Sequence, residues 1–111
     1  MMKTMTPFER EALFLALLRQ SIEEKASHGK LLMQLRKQVL GFSQDRYAAL
    51  AGISRRTLSD IEQDKESVTL NVLNRAFRPL GLEMGLLPQQ SHMRQTLIAL
   101  LAQQGASHDH P

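Results

Sequence analysis

The chain has 111 residues, which suffices for one domain with a hydrophobic core and leaves little room for two. It has no cysteine, which excludes disulfide frameworks, thiolate nucleophiles and cysteine-based zinc sites. Fourteen Lys and Arg residues against eleven Asp and Glu residues give a net charge of +3, which is compatible with a polyanionic partner. Aromatic residues make up only 5% of the chain, which argues against a surface on which nucleic-acid bases stack.

The first predicted helix has a clear start signal. Thr6 suits the N-cap, Pro7 suits the first turn, and Glu9 completes a capping box. The helix is predicted to end before Ser27. Apolar residues at helical spacing form a stripe along this helix: Phe8, Ala12, Leu15, Leu18 and Ile22. Leu13, Phe14 and Leu17 widen the stripe. Either this wide face packs on the rest of the domain, or part of it contacts another subunit or a partner.

Shorter helices follow, separated by glycine and by capping residues. The apolar spacing predicts a helix over residues 30–40, followed by Gly41 as a left-handed C-cap. Ser43 and Ser54 are predicted to cap the next two helices, and Gly52 separates them. Thr69 caps a fourth helix, which ends near residue 80 with its last turn disturbed by a proline.

Residues 82–87 lie between a glycine and a proline and are too few for another helix. Leu82, Met84 and Leu86 alternate with other residues, which predicts one β-strand. A lone strand needs a partner for its backbone groups, and a two-fold related copy of the chain is the simplest one. These three residues are therefore the predicted dimer contact. A last helix runs from Ser91 to about residue 104, with Gly105 at its end.

The most informative stretch is residues 43–62, SQDRYAALAGISRRTLSDIE. Two capped helices meet there at a tight joint, as in a helix-turn-helix. Ala48 is small where the two helices touch, and Gly52 suits a turn that requires positive φ. The positions expected to face inward are Tyr47, Ala51, Ile53, Leu58 and Ile61.

Three motifs in this region, GFSQ (41–44), LAGIS (50–54) and TLSDIE (57–62), resemble the Xre/Cro-type helix-turn-helix family. The resemblance covers residues 30–88. The continuation over residues 68–84 is similar to the HipB-like antitoxin subgroup, in which a strand pairs across the dimer. The first and last helices have no counterpart in the family pattern.

The elements and the resemblance together imply a mainly α protein with a lambda-repressor-like helix-turn-helix bundle and one C-terminal β-strand. Four segments are predicted: an N-terminal extension helix (1–28), the helix-turn-helix DNA-binding domain (29–81), a dimerisation strand (82–88), and a C-terminal helix with a flexible tail (89–111).

Known docking of helix-turn-helix proteins predicts which residues read bases. Arg55 and Arg56 open the recognition helix, and arginine reads guanine bidentately at O6 and N7. Thr57 and Ser59 are candidates for a thymine methyl or a phosphate. Asp60 either accepts from cytosine N4 or only holds an arginine in place.

Phosphate contacts are predicted beside these residues. Ser43 and Gln44 lie at a helix N-terminus, where free backbone N–H groups favour an anion. Weaker phosphate candidates are Arg46, Lys65, Ser67 and Thr69. The resemblance further implies that Glu62 pairs with Lys37 in a structural ion pair.

No grouping of residues indicates catalysis, a cofactor or a metal site. His108 and His110 fall in the terminal tail and are interpreted as accidental composition. The longest apolar run, residues 12–18, is far below the roughly 20 residues of a membrane-spanning helix, and no signal peptide is recognisable. The sequence thus predicts a cytoplasmic, nucleoid-associated bacterial protein with no membrane partner.

The leading hypothesis is a dimeric repressor of a palindromic DNA operator. As a HipB-like antitoxin, it would repress its own operon and bind a HipA-like kinase toxin. One alternative is a stand-alone or phage-type regulator with no toxin. The other is a protein–protein adaptor, in which the helix-turn-helix is vestigial and the terminal helices bind a partner.

Overall fold

The computed structural model describes residues 4–65 and 68–108, the side chains of 105–108 excepted. Within them the chain forms six α-helices: α1 (Pro7–Glu24), α2 (His28–Gln34), α3 (Gln44–Ala51), α4 (Arg55–Glu62), α5 (Leu70–Phe77) and α6 (Ser91–His108). A π-helix, Leu35–Leu40, continues α2, and a 3-10 turn, Arg78–Leu80, continues α5. None of the described helices has the length and apolar character needed to cross a membrane.

The predicted capping residues lie where the helices begin. Thr6, Ser43, Ser54 and Thr69 each accept a hydrogen bond from a backbone N–H in the first turn, and Thr6 forms the complete capping box with Glu9. α2 begins two residues earlier than predicted, because Ser27 also caps a helix. These side chains satisfy N–H groups that a helix start leaves unpaired.

The core lies between α2 and its π-helical extension, α3, α4 and α5. Leu32, Leu35, Tyr47 and Leu58 are fully buried, and Ala48, Ala51 and Ile61 are buried around them. All five positions expected to face inward from the helix-turn-helix belong to this core or pack on it, Ile53 being half-buried. The 3.6-residue period is therefore reliable in this part of the chain.

Gly29 sets the approach of α2 to the end of α4. A Cβ atom there would lie 2.2 Å from the backbone oxygen of Ile61 and 2.6 Å from Oδ1 of Asp64. The Gly29 N–H donates to that same Asp64 oxygen at 3.0 Å. Only a residue without a side chain permits this close contact.

The predicted stripe of α1 is partly wrong. Leu17 is the buried residue of this helix, with Leu13, Phe14 and Leu18 packed beside it on the core. Phe8 and Leu15, two members of the predicted stripe, are 81% and 53% exposed. Because residues 12–18 are all apolar, the spacing does not determine which face of the helix is inward.

The predicted β-strand is also wrong, since none of the described residues forms a strand. Residues 82–88 run as extended chain over the helices. Leu82 and Met84 pack on the core, while Leu86 is fully exposed. The Met84 N–H donates to Oδ1 of Asn74 at 2.8 Å. The alternating pattern therefore arises from extended chain that packs on α-helices. The Asn74 side chain accepts from the Met84 backbone the kind of hydrogen bond that a neighbouring strand would otherwise accept.

The last helix extends further than predicted. α6 continues through Gly105 to His108, so that glycine does not end it. Arg94 is buried and donates to the backbone oxygens of Ile22, Pro88 and Gln89. The bond to Ile22 attaches α6 to the end of α1, and the other two hold the chain that leads into α6.

Candidate nucleic-acid interface

The helix-turn-helix consists of α3, a three-residue turn (52–54) and α4. Gly52 adopts the left-handed conformation with φ 71°, and Ile53 donates its N–H to the Ala48 oxygen at 3.0 Å. Ser54 then caps α4 by accepting from the Thr57 N–H at 3.0 Å. Each of these features fixes the direction in which α4 leaves the turn.

A buried polar network holds the two helices from behind. Arg36, in the π-helix, makes a bidentate ion pair with Glu62, with Nε–Oε2 and Nη2–Oε1 distances of 2.7 and 2.8 Å. Gln44 donates to Oε1 of Glu62 at 2.9 Å, and Arg36 Nη1 donates to the Phe42 oxygen at 2.9 Å. The network joins the start of α3 to the end of α4.

This network corrects the ion pair implied by the resemblance. Glu62 pairs with Arg36, whereas Lys37, one residue later, is exposed. Successive residues of a helix point in clearly different directions, so only one of them can face the buried carboxylate. A guanidinium also matches a carboxylate with two parallel hydrogen bonds, which an ammonium cannot provide.

Tyr47 fixes α3 to the other side of the core. Its hydroxyl donates to the Ala76 oxygen in α5 at 2.6 Å. Burial raises the pKa of the phenol well above its usual value, and the nearby Glu62 charge raises it further. The tyrosine is therefore a neutral hydrogen-bond donor at ordinary pH.

The first residues of α4 are open to solvent. The Arg55 side chain is 65% exposed and lies 3.6 Å from a carboxylate oxygen of Asp45 on α3, which is exposed as well. Arg56 is exposed, and it lies on the same turn of α4. An exposed ion pair at this distance contributes little energy, so Arg55 remains available to another anion.

The other predicted base-reading residues have partners within the protein. The Thr57 hydroxyl oxygen accepts from Ser54 Oγ at 2.8 Å, and Ser59 Oγ accepts from Gln63 at 3.0 Å. Asp60 pairs with Lys65 at 3.2 Å and not with an arginine.

The predicted phosphate-contact residues divide into those that have a partner inside the protein and those that are open to solvent. Gln44 is half-buried and bound to Glu62, whereas Ser43 and Thr69 are exposed capping residues. Arg46 is exposed and stacks on Phe42, with its guanidinium carbon 3.8 Å from the ring centroid. Ser67 lies outside the described residues.

Two polar residues of this region were missed by sequence reasoning. Arg36 is buried in a stretch whose apolar spacing indicates only core, and its charge next to Lys37 looks like solvated surface. Asn74 holds the extended segment through Met84. An arginine between Leu35 and Val39 on an otherwise apolar face is the signal that was available for Arg36.

The described residues contain no group of three His, Asp or Glu side chains arranged to hold a metal ion. The side chain of His108 and the whole of His110 fall outside what the structure describes. The arrangement of this face is suited to contact with an extended polyanion, because it presents capped helix N-termini and exposed arginines.

Comparison with known proteins agrees with this geometry. A helix-turn-helix family model matches residues 32–87. The HTH-type transcriptional regulator PuuR of Escherichia coli K12 is 37% identical over 62 residues, which is 56% of this chain and 33% of that protein; PuuR of Shigella flexneri matches equally. The chain thus spans about a third of the length of these curated relatives. No solved structure matches it. The match covers both helices of the motif and the core around them, and the chain belongs to the Xre-type helix-turn-helix family.

Proposed function

We propose that the protein is a sequence-specific DNA-binding transcriptional repressor, with α4 as its recognition helix. The observation that carries this proposal is the start of α4. Arg55 and Arg56 stand exposed on its first turn, and the buried network around Glu62 fixes the helix behind them. Arginine at that position of a recognition helix donates bidentately to guanine.

The proposal assigns different roles to the surrounding residues. Arg55 and Arg56 read bases, and Asp60 serves to hold Lys65 near the DNA backbone. Ser43, Arg46 and Thr69 contact phosphates from the ends of α3 and α5, while Gln44 orients the α3 N-terminus. Thr57 and Ser59 are secondary contacts, since their hydroxyl groups already have partners.

The test is binding to the duplex that lies upstream of the protein's own gene, measured by fluorescence anisotropy against a random duplex. Arg55→Ala and Arg56→Ala should each lose about 1–3 kcal/mol of binding free energy on the upstream duplex and much less on the random one. The matched control is Arg10→Ala/Arg19→Ala, which removes two exposed positive charges from α1. Unchanged affinity in both α4 variants would refute the assignment.

The repressor is proposed to act as a homodimer on a palindromic operator with half-sites about 10 base pairs apart. Exposed Leu86 and Leu87, next to inward-facing Leu82 and Met84, support a contact between copies along the extended segment. Sedimentation of the wild type and of Leu86→Glu tests this. A monomer at every concentration of the wild type would contradict it.

Within this function, an antitoxin role is supported by the exposed apolar residues of α1 and α6, which offer a surface to a protein such as a HipA-like kinase. Co-expression with the product of the neighbouring gene tests it, with Phe8→Ser/Leu15→Ser as the variant expected to weaken the complex. If no complex forms and operator binding is retained, the stand-alone regulator is correct. Weak, salt-insensitive DNA binding together with a tight protein complex would instead favour the adaptor.

A further inference from the structure

A cavity of about 470 Å³ lies between the end of α1, the extended segment 82–89 and the start of α6. Its size falls within the range typical of small-molecule sites. Its walls are mostly apolar: Leu18, Ile22, Leu31, Phe77, Leu82 and Met84. No residue of α3 or α4 lines it, so it is separate from the proposed DNA-binding face.

Arg94 borders this cavity and is only 5% exposed. Among the described residues no carboxylate lies within ion-pair distance of its guanidinium, which sets it apart from buried Arg36 with its Glu62 partner. Nε and Nη1 donate to three backbone oxygens. Nη2 has no hydrogen-bond partner in the described part of the chain, and because no buried side-chain N or O atom there lacks one, this nitrogen is accessible from the cavity or from solvent. A buried cation without a counter-ion is costly, and an anion in the cavity would compensate it.

We propose that this cavity binds a small monocarboxylate with an apolar tail, its carboxylate on Arg94. One free guanidinium nitrogen suits a compact head group with a single charge. The exposed rim carries Lys25, which attracts an anion, and Glu83, which repels a singly charged head group less than a doubly charged phosphate. The apolar walls accommodate the tail. This inference goes beyond DNA binding, because it gives the protein a ligand to respond to.

The test is to titrate the full chain, without DNA, with decanoate, decanol and acetate in turn. Calorimetry and the amide chemical shifts of the isotopically labelled protein detect binding. Decanoate should bind at one site, shift the Gly85 and Arg94 amides, and bind at least about tenfold more tightly than decanol, since a charge-assisted hydrogen bond distinguishes the two. Acetate, which lacks a tail, should not bind at millimolar concentration.

Two variants locate the site. Arg94→Met should abolish the preference for decanoate over decanol, whereas Arg78→Met, which removes an exposed arginine outside the cavity, should leave it unchanged. Ala26→Phe should weaken both long-chain ligands by filling the cavity. If Arg94→Met does not fold, the ligand series on the wild type still decides. Equal affinity for decanol and decanoate, or no binding of decanoate, would overturn the proposal.

Discussion

The two buried arginines show how differently two parts of this molecule are held together. Arg36 lies inside the helix-turn-helix domain and has a full carboxylate partner, Glu62, which in turn holds Gln44. Arg94 donates to backbone oxygens, one of which, that of Ile22, belongs to α1. The helix-turn-helix domain buries most of its large apolar side chains and exposes Leu50 and Leu70, whereas α1 and α6 expose a larger number: Phe8, Leu15, Met93, Leu97, Leu100 and Leu101. The domain is complete within one chain, and the outer helices still present surface for something else.

The largest loss of stability is expected when the Glu62 carboxylate is removed from the helix-turn-helix domain. Glu62→Ala should lower the free energy of unfolding by about 3–5 kcal/mol, because it leaves a buried guanidinium without its counter-ion. Urea denaturation measures the loss. The control is Glu23→Ala, which breaks an exposed pair with Arg19 and should change stability by less than about 1 kcal/mol. Similar losses in both variants would mean that the buried pair is not what stabilises the domain.

The glycine contact between α2 and α4 is expected to have the next largest effect. Gly29→Ala places a methyl group against the Ile61 carbonyl and should cost about 1–3 kcal/mol, since backbone on both sides resists movement. Gly85→Ala is the matched substitution in the outer region, where a Cβ meets no atom within 4 Å. Its thermal midpoint should barely change. A tolerated Gly29→Ala would show that the two helices separate easily.

The buried tyrosine gives a smaller effect that depends on pH. Tyr47→Phe should cost about 1–2 kcal/mol at neutral pH, because the Ala76 oxygen loses its donor. Folding raises the Tyr47 pKa, so the folded state holds the phenol proton more tightly than the unfolded chain does. The stabilisation that comes from the raised Tyr47 pKa is complete below about pH 10, which is the pKa of tyrosine in the unfolded chain. It is lost as the pH rises beyond that value.

The difference in stability between the wild type and Tyr47→Phe should therefore be constant up to about pH 10 and narrow between about pH 10 and pH 11. Urea titrations at three pH values measure it. A difference that stays constant across this range would contradict the raised pKa.

The smallest effect is expected in the outer region. Leu15→Ser/Leu100→Ser changes two exposed leucines on α1 and α6, and stability should shift by less than about 0.5 kcal/mol. Denaturation at two protein concentrations provides the measurement. A loss above about 1 kcal/mol that shrinks on dilution would mean that these faces are buried in an assembly, which would remove the contrast between the two regions.

Sequence reasoning succeeded where one residue determines one local geometry. The helix caps were predictable because a hydroxyl just before a helix accepts a hydrogen bond from a first-turn N–H; they are Thr6, Ser43, Ser54 and Thr69. Gly41 and Gly52 adopt positive φ as expected. The inward positions of α4 were predictable because Leu58 and Ile61, three residues apart, are apolar among polar neighbours.

It failed where several arrangements share one pattern. Residues 12–18 are uniformly apolar, so the inward face of α1 depends on what it packs against. An alternating pattern over residues 82–87 fits both a strand and extended chain lying on helices. The partner of Glu62 depends on the helical phase at Arg36 and Lys37, and the resemblance gave Lys37 although Arg36 is the one that lies on the apolar face.

Tyr47 has one more consequence, which concerns spectroscopy. The chain contains one tyrosine and no tryptophan, so its absorbance and emission above the phenylalanine region come from a single side chain. That side chain lies at the junction of α3 and α5. The unmodified protein thus carries its own optical reporter, and its ultraviolet signal reads the integrity of the helix-turn-helix core without any label.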